Sequence, residues 1–387
     1  MNSPYTDAER TRSLAAVMVH MLGIGLTLGL TFPLTALTMA RWGSPDWVIG
    51  LAGAMSPLAI LLFMPVLPGV VARLGAVRSM VLGCGIAMIA LGAMYRVPNV
   101  PAWVAARLVI GAGLALPWLA GDVWVNSVAD QSSRGRVIGL YVTCLFAGFA
   151  TGPLLLERIG IGGPGPHVLA CAALALSVVP LVLVRRLAPP IEAGGGGSVL
   201  TAVRAAPVVA AGGLVTGFTE GAAFSLLPVW GLKTGLAQTG ALMLMSVFIV
   251  GGIALQIVSG AAADRLGRQR LLALIGGALA SVAVLLHLVT GPAVFALAFV
   301  AGGAVLAVYG LSLTLLGERF APERLAMASA AYLILYQLGS MTGPLVAGAA
   351  MQSFGSIGFV TALGVAGGFV AVVAIAVPRQ CTRPAST

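Results

Sequence analysis

The chain has 387 residues, 59% of them hydrophobic and 8% charged, with a mean hydropathy of +1.04. Soluble domains hold about 45–50% apolar residues, so a water-soluble globular protein is excluded. Nucleic-acid binding is disfavoured as well, because the net charge of +10 is dispersed among short loops rather than gathered in a patch.

Apolar stretches of about 20 residues, the length that crosses a bilayer, recur between short interruptions carrying Arg, Gly and Pro. They predict an all-α integral membrane protein with twelve spans, near 14–40, 47–70, 79–95, 101–128, 137–156, 166–184, 206–231, 237–259, 271–290, 293–316, 326–350 and 357–377. Arg10 and Arg12 precede the first span, but its apolar run is longer than a secretion signal's and no convincing cleavage site follows, so it is expected to stay in the mature protein. Cys84, Cys144 and Cys171 fall inside spans and Cys381 in the tail, which argues for packing residues and against a disulfide framework.

The basic residues follow a rule. The N-terminus, alternate loops (Arg73, Arg78; Arg134, Arg136; Arg185, Arg186, Arg204; Arg265, Arg268, Arg270; Arg319, Arg324) and the tail (Arg379, Arg383) hold 16 of the 21 Lys and Arg residues. The other side has Arg41, Arg96, Arg158 and Lys233, and Arg107 stands inside a span. Positive charge accumulates on the cytoplasmic side, so both termini are expected there, in a multi-pass protein of a bacterial inner membrane.

Between spans 6 and 7 lies "APPIEAGGGGSV", too rich in Gly and Pro to pack. It divides the chain into an N-terminal bundle of six spans (1–184), a cytoplasmic linker (185–205) and a C-terminal bundle of six (206–387). The halves repeat: "ARLGAVR" (72–78) matches "DRLGRQR" (264–270) at an offset of 192, and "ATGPLL" (150–155) matches "MTGPLV" (341–346) at 191. Two matches at nearly one offset argue for duplication, a common build among secondary transporters.

Here the chain resembles the major facilitator superfamily over essentially its full length. "GAAADRLGRQR" (260–270) is similar to the family's signature between spans 2 and 3, repeated between spans 8 and 9. "RLVIGAGLA" (107–115) resembles its span 4 motif, and "GFATGP" (148–153) the Gly-x-x-x-Gly-Pro motif of span 5, often seen in proton-driven exporters. The first half departs from the signature, with Ala72 where its Asp would stand and Pro68 in place of its leading Gly; Leu154, Leu155 and Leu156 follow the span 5 motif where further glycines would be expected. The resemblance implies two pseudo-symmetric six-helix bundles with spans 1, 4, 7 and 10 around a central cavity.

At the signature, Gly260 is expected to let helix ends approach and Asp264 to cap or pair at a helix terminus. With Arg265, Arg268, Arg270, Arg73, Arg78, Asp122 and Glu318 it forms a candidate cytoplasmic gate, a latch of ion pairs worth about 1–3 kcal/mol. The plainer alternative is that these arginines only set topology. Asp122 and Glu318, near the cytoplasmic ends of spans 4 and 10, are expected to pair with the loop arginines.

Ionisable groups within hydrocarbon cost several kcal/mol unless paired or hydrated, which makes each a site candidate. Glu220, about 14 residues into span 7 and so about 21 Å deep, is the acidic group expected deepest in the membrane; Arg107 shares the outer half of the bilayer. Glu220 is read as a proton-coupling carboxyl, against a permanent ion pair with Arg107 or a protonated group capping a carbonyl. Arg107 is read as its electrostatic partner, as an anchor for an anionic substrate, or as a packing donor. The matching position in the second half is Ala298, so the charge is not a duplicated scaffold element.

Arg107, Gly111, Trp118 and Asp122 fall within an arc of about 60°, a face expected to line a cavity. His20, Thr27, Thr31 and Thr38 make a second stripe, on span 1, with His20 expected to pack rather than to relay protons. The candidate substrate cavity comprises Thr27, Thr31, Trp118, Thr216, Tyr309 and Tyr336, with Ser312, Tyr332 and Gln337 nearby; Trp118 and Tyr309 could stack on a substrate or merely pack.

The expected function is secondary transport by alternating access, with proton-coupled export of a small amphipathic organic compound. One alternative is a symporter or facilitator for a small organic anion held by Arg107, and another is a receptor or assembly factor that moves nothing. No HExxH pair, GxSxG elbow, His or Cys ligand cluster or GxxxxGK[ST] loop occurs, so an enzyme, a metal, a cofactor and ATP are not expected. The expected partners are a small-molecule substrate, protons and the lipid bilayer, for a chain working as a monomer.

Overall fold

A computed structural model describes residues 5–130, 133–189, 206–320 and 322–377. The Gly194–Gly197 stretch of the linker, Arg204 and the tail residues Arg379, Cys381 and Arg383 lie outside the described residues. Those described form thirteen α-helices, a short 3₁₀ turn (Arg185–Leu187) and no strand. In the N-terminal half they are α1 (Asp7–Arg41), α2 (Asp46–Phe63), α3 (Leu67–Leu74), α4 (Ala76–Arg96), α5 (Val100–Val128), α6 (Arg134–Ile159) and α7 (Gly165–Leu183). The C-terminal half has α8 (Pro207–Lys233), α9 (Gln238–Leu266), α10 (Arg268–Leu288), α11 (Ala293–Arg319), α12 (Pro322–Phe354) and α13 (Ser356–Ala376). All but the eight-residue α3 are long and apolar enough to span a membrane, giving twelve spans, six in each half.

Several boundaries move from their predicted places. Span 2, expected to run to residue 70, ends at Phe63 and gives way to the separate α3. Pro65 has no N–H to donate and disfavours helix at Met64, whereas Pro68, in the first turn of α3, costs that helix nothing. The signature was expected in a loop, but residues 260–266 continue α9 and Arg268 begins α10, so Gly267 alone separates the two helices. Its φ of +80° is a conformation that a side chain disfavours. Gly75, its match at offset 192, has φ +78° between α3 and α4. Gly260 approaches nothing: a Cβ there would meet no atom within 4 Å, because it sits on an exposed helix face.

The repeat has a structural core. Gly25 and Gly29 of α1 lie against the backbone of Leu145 and Phe149 of α6, and Gly148 and Gly152 of α6 against Leu22 and Gly29 of α1. In the second half Gly217 and Gly221 of α8 lie against Tyr336 and Ser340 of α12, and Gly339 and Gly343 against Leu214 and Phe218. The glycines correspond at the same offsets of 191 and 192. Each crossing brings backbone onto backbone, the contact that small residues allow where hydrocarbon supplies no hydrophobic drive.

The described chain clusters into two compact units, Met1–Ser44 with Met55–Gly194, and Pro45–Ala54 with Gly195–Thr387. The start of α2 thus counts with the second unit. The Asp46 carboxylate is 2.5 Å from Nζ of Lys233, its N–H donates to Oε1 of Gln352 at 2.8 Å, and Gly50 lies on the backbone of Pro344. In the first half α1 and α5 are the most buried spans (67 and 61%), and in the second α8 and α11 (78 and 61%), against 28–50% for the other eight. The most buried helices are therefore spans 1 and 4 in the first half and spans 7 and 10 in the second, which carry most of the polar groups singled out above.

Candidate functional site

In the second unit the polar centre forms where α8, α11 and α12 meet. Glu220 is 3% exposed, and its Oε2 accepts a hydrogen bond from the Tyr336 hydroxyl at 2.5 Å. Among the described residues of its unit no basic side chain pairs with it. The Gly217–Gly221 crossing sets this geometry, since it lets α12 come close enough for Tyr336 to reach the carboxyl one turn along α8. Tyr309 of α11 completes the wall, with its ring 5.9 Å from that of Tyr336 and 5.8 Å from that of Tyr332. Thr216 is buried beside them, its hydroxyl donating to the carbonyl of Gly212 at 2.8 Å. The structure thus brings Glu220, Tyr336 and Tyr309 together.

The first unit holds Arg107, fully buried on α5. Its Nη1 donates to Oγ1 of Thr31 at 3.4 Å, and its guanidinium lies 4.1 Å above the ring of Phe32, within cation–π range. Its Nε and Nη2 are buried with no hydrogen-bond partner among the described residues. Thr27 donates to the carbonyl of Gly23 at 2.9 Å, and His20 Nδ1 stands 3.0 Å from Oγ of Ser177.

The stripe on α5 does not form a single cavity face. Arg107 meets α1 and Gly111 backs onto Ser56 of α2, while Trp118 is 37% exposed and apart from Arg107. Asp122 was expected to pair with loop arginines; its Oδ1 instead accepts from the Tyr141 hydroxyl of α6 at 2.9 Å. Packed helices cross at an angle, so residues that share a face meet different neighbours along its length.

At the Arg-rich end of α9, α10 and α11 the Arg268 guanidinium bonds the Glu318 carboxylate and stands 3.9 Å from that of Asp264. These groups line a pocket of about 470 Å³ with Arg270 and Arg319. Arg265 is exposed, as are Arg73 and Arg78 in the first unit. A larger groove of about 730 Å³ between α8, α12 and α13 is lined almost wholly by apolar side chains such as Phe218, Phe354 and Phe369; it offers no polar group able to orient a ligand except Thr361.

Sequence reasoning missed Phe32, which lies one residue off the polar stripe of α1, and Tyr141, 19 residues from the carboxylate it holds. It also missed Asp46, whose partners Lys233 and Gln352 are 187 and 306 residues away. A search for polar residues at helical spacing skips an aromatic shelf, and no local pattern announces a distant partner.

The model of the family described as Major Facilitator Superfamily matches residues 13–236 and 209–385. The chain is 24% identical over 355 residues to the uncharacterized MFS-type transporter YcaD of Escherichia fergusonii, covering 89% of this chain and 90% of that one. Among solved structures it is similar to the nucleoside transporter NupG, with a TM-score of 0.70 at 16% identity over 95% of this chain and 98% of that one. A D-xylose–proton symporter gives 0.70 at 15% identity over 95% and 97%. Twelve spans in two repeated halves, glycine crossings duplicated in register and a family match along nearly the whole length agree: the chain belongs to the major facilitator superfamily and is a secondary transporter.

Proposed function

We propose that this transporter is a proton-coupled exporter of a small amphipathic organic compound. It works by alternating access of its two six-span halves across a bacterial inner membrane, with both termini cytoplasmic. The observation that carries the reading is Glu220, a buried carboxyl on the most buried span, hydrogen-bonded by a neutral tyrosine and paired with no cation among the described residues of its own unit. A carboxyl so placed changes charge as water reaches it or leaves it. Tyr336 serves both forms, since its O–H donates to the carboxylate and its oxygen accepts from the protonated acid. Glu220 takes a proton when the site opens to one side and gives it up when it opens to the other, and substrate moves in the exchange. The aromatic wall of Tyr309 and Tyr336 suits an apolar body.

The test uses proteoliposomes with an imposed pH gradient. Glu220→Gln, a mimic of the protonated state, is expected to retain substrate exchange and to lose gradient-driven accumulation. Full gradient-driven transport by a folded mutant overturns the reading.

A further inference from the structure

Arg107 is a charge with one edge left open. Nη1 is taken up by Thr31 and one face of the guanidinium lies over Phe32, but Nε and Nη2 are buried without a partner among the described residues. These two nitrogens lie on the same side of the guanidinium, so their N–H bonds run parallel and form the fork that receives both oxygens of a carboxylate. A guanidinium withdrawn from water with two free donors is costly, and an oxyanion relieves both the missing charge and the missing bonds. Among the described residues of its unit no Asp or Glu fills the gap: the ion pairs there are those of Arg10 with Asp7 and Asp130.

We propose that the compound this protein carries ends in a carboxylate, which docks in the plane of Arg107 on its Nε–Nη2 edge. The proposal rests on the transporter reading above and names the polar end of the amphipathic substrate. Phe32 directs the approach, because its ring blocks one face and leaves the edge. One guanidinium neutralises one charge, so a monocarboxylate leaves the buried site neutral, whereas a dianion, the form inorganic phosphate takes above neutral pH, leaves one negative charge uncompensated in hydrocarbon. A spherical halide engages the fork at a single point and gains nothing from its geometry. Thr38, on the same face of α1 two turns beyond Thr31, has a buried hydroxyl with no partner among the described residues and offers a second polar contact. Both sites are sealed from solvent here, so the ligand reaches them when the surrounding helices part.

The test measures the thermal unfolding midpoint of the purified full chain in detergent at about pH 8.5, where inorganic phosphate is a dianion and the carboxylates are monoanions, and at constant ionic strength. The probes are acetate, benzoate and cyclohexanecarboxylate, each at about 10 mM, with benzamide, chloride and inorganic phosphate as comparators. A ligand of the native state raises the midpoint, and benzoate or cyclohexanecarboxylate is expected to do so while benzamide, chloride and phosphate do not. Arg107→Lys keeps the charge and loses the fork, and it is expected to raise the benzoate concentration needed for half the effect by at least ~10-fold. The proposal is overturned if no carboxylate exceeds benzamide, if chloride or phosphate matches benzoate, or if Arg107→Lys responds as the parent does. Should that variant fail to fold, the comparison of benzoate with benzamide on the unsubstituted chain decides alone. No pH gradient is involved, so the outcome is separate from whether Glu220 couples protons.

Discussion

Glu220 and Arg107 show how a duplicated scaffold acquires different chemistry in its two copies. The positions that match them across the repeat are Leu28, at offset 192, and Ala298, at offset 191; Tyr336 likewise answers to Leu145. Each half kept the backbone and gave one interior position a charge. Asp264 is a different case, since its side chain is 77% exposed and 3.9 Å from Arg268, across the Gly267 break between α9 and α10. An exposed ion pair is worth about 0.2–1 kcal/mol, little against the stability of the fold. If Asp264 belongs to a two-state latch, Asp264→Asn should leave the unfolding midpoint unchanged, hold ligand affinity within a few-fold and slow turnover. Turnover equal to that of the parent, measured in the same proteoliposomes, would leave the neighbouring arginines as topology signals only. That these residues were charged and near helix ends was legible in the sequence. So was the pairing of Glu318 with a loop arginine, which Arg268 fills; Tyr141 as the partner of Asp122 was not, because it depends on which helices become neighbours.

At the scale of elements, hydropathy located all twelve spans, since each must present about 20 apolar residues to lipid. It misjudged where helices end, because helix outlasts the apolar stretch: α9 runs through Ala261, Ala262 and Ala263, good helix formers, to Gly267. The break after Phe63 was readable from Pro65 but was masked by the apolar residues on either side. Crossing glycines give a sharp contrast with exposed ones. Gly148→Val on α6 or Gly339→Val on α12 drives a side chain into the backbone of the facing helix, and each should cost at least about 1–3 kcal/mol. Gly260→Ala meets nothing and should stabilise α9 by about 0.5–1 kcal/mol through helix propensity alone. Thermal unfolding of the three variants in one detergent checks the order; equal midpoints would mean that the crossings are looser than described.

For the whole molecule, the 16-to-4 asymmetry of Lys and Arg across the predicted loops predicts an orientation with both termini cytoplasmic. Ser198→Cys should resist a membrane-impermeant thiol reagent applied to intact cells and react after lysis, whereas strong labelling from outside would invert the topology. Chain-wide order was also legible through the repeat, and the burial of spans 1, 4, 7 and 10 follows it. The paired glycines add a record of descent. A hydrogen atom at Gly25, Gly29, Gly148 and Gly152 has no conservative replacement, since every other residue, Ala included, puts carbon where the opposite backbone already stands. Duplication copied that prohibition to Gly217, Gly221, Gly339 and Gly343. The two halves have since drifted apart at the signature, where Ala72 faces Asp264, and at the charged interior positions. They have not drifted at these eight sites, where any step away meets another strand of main chain.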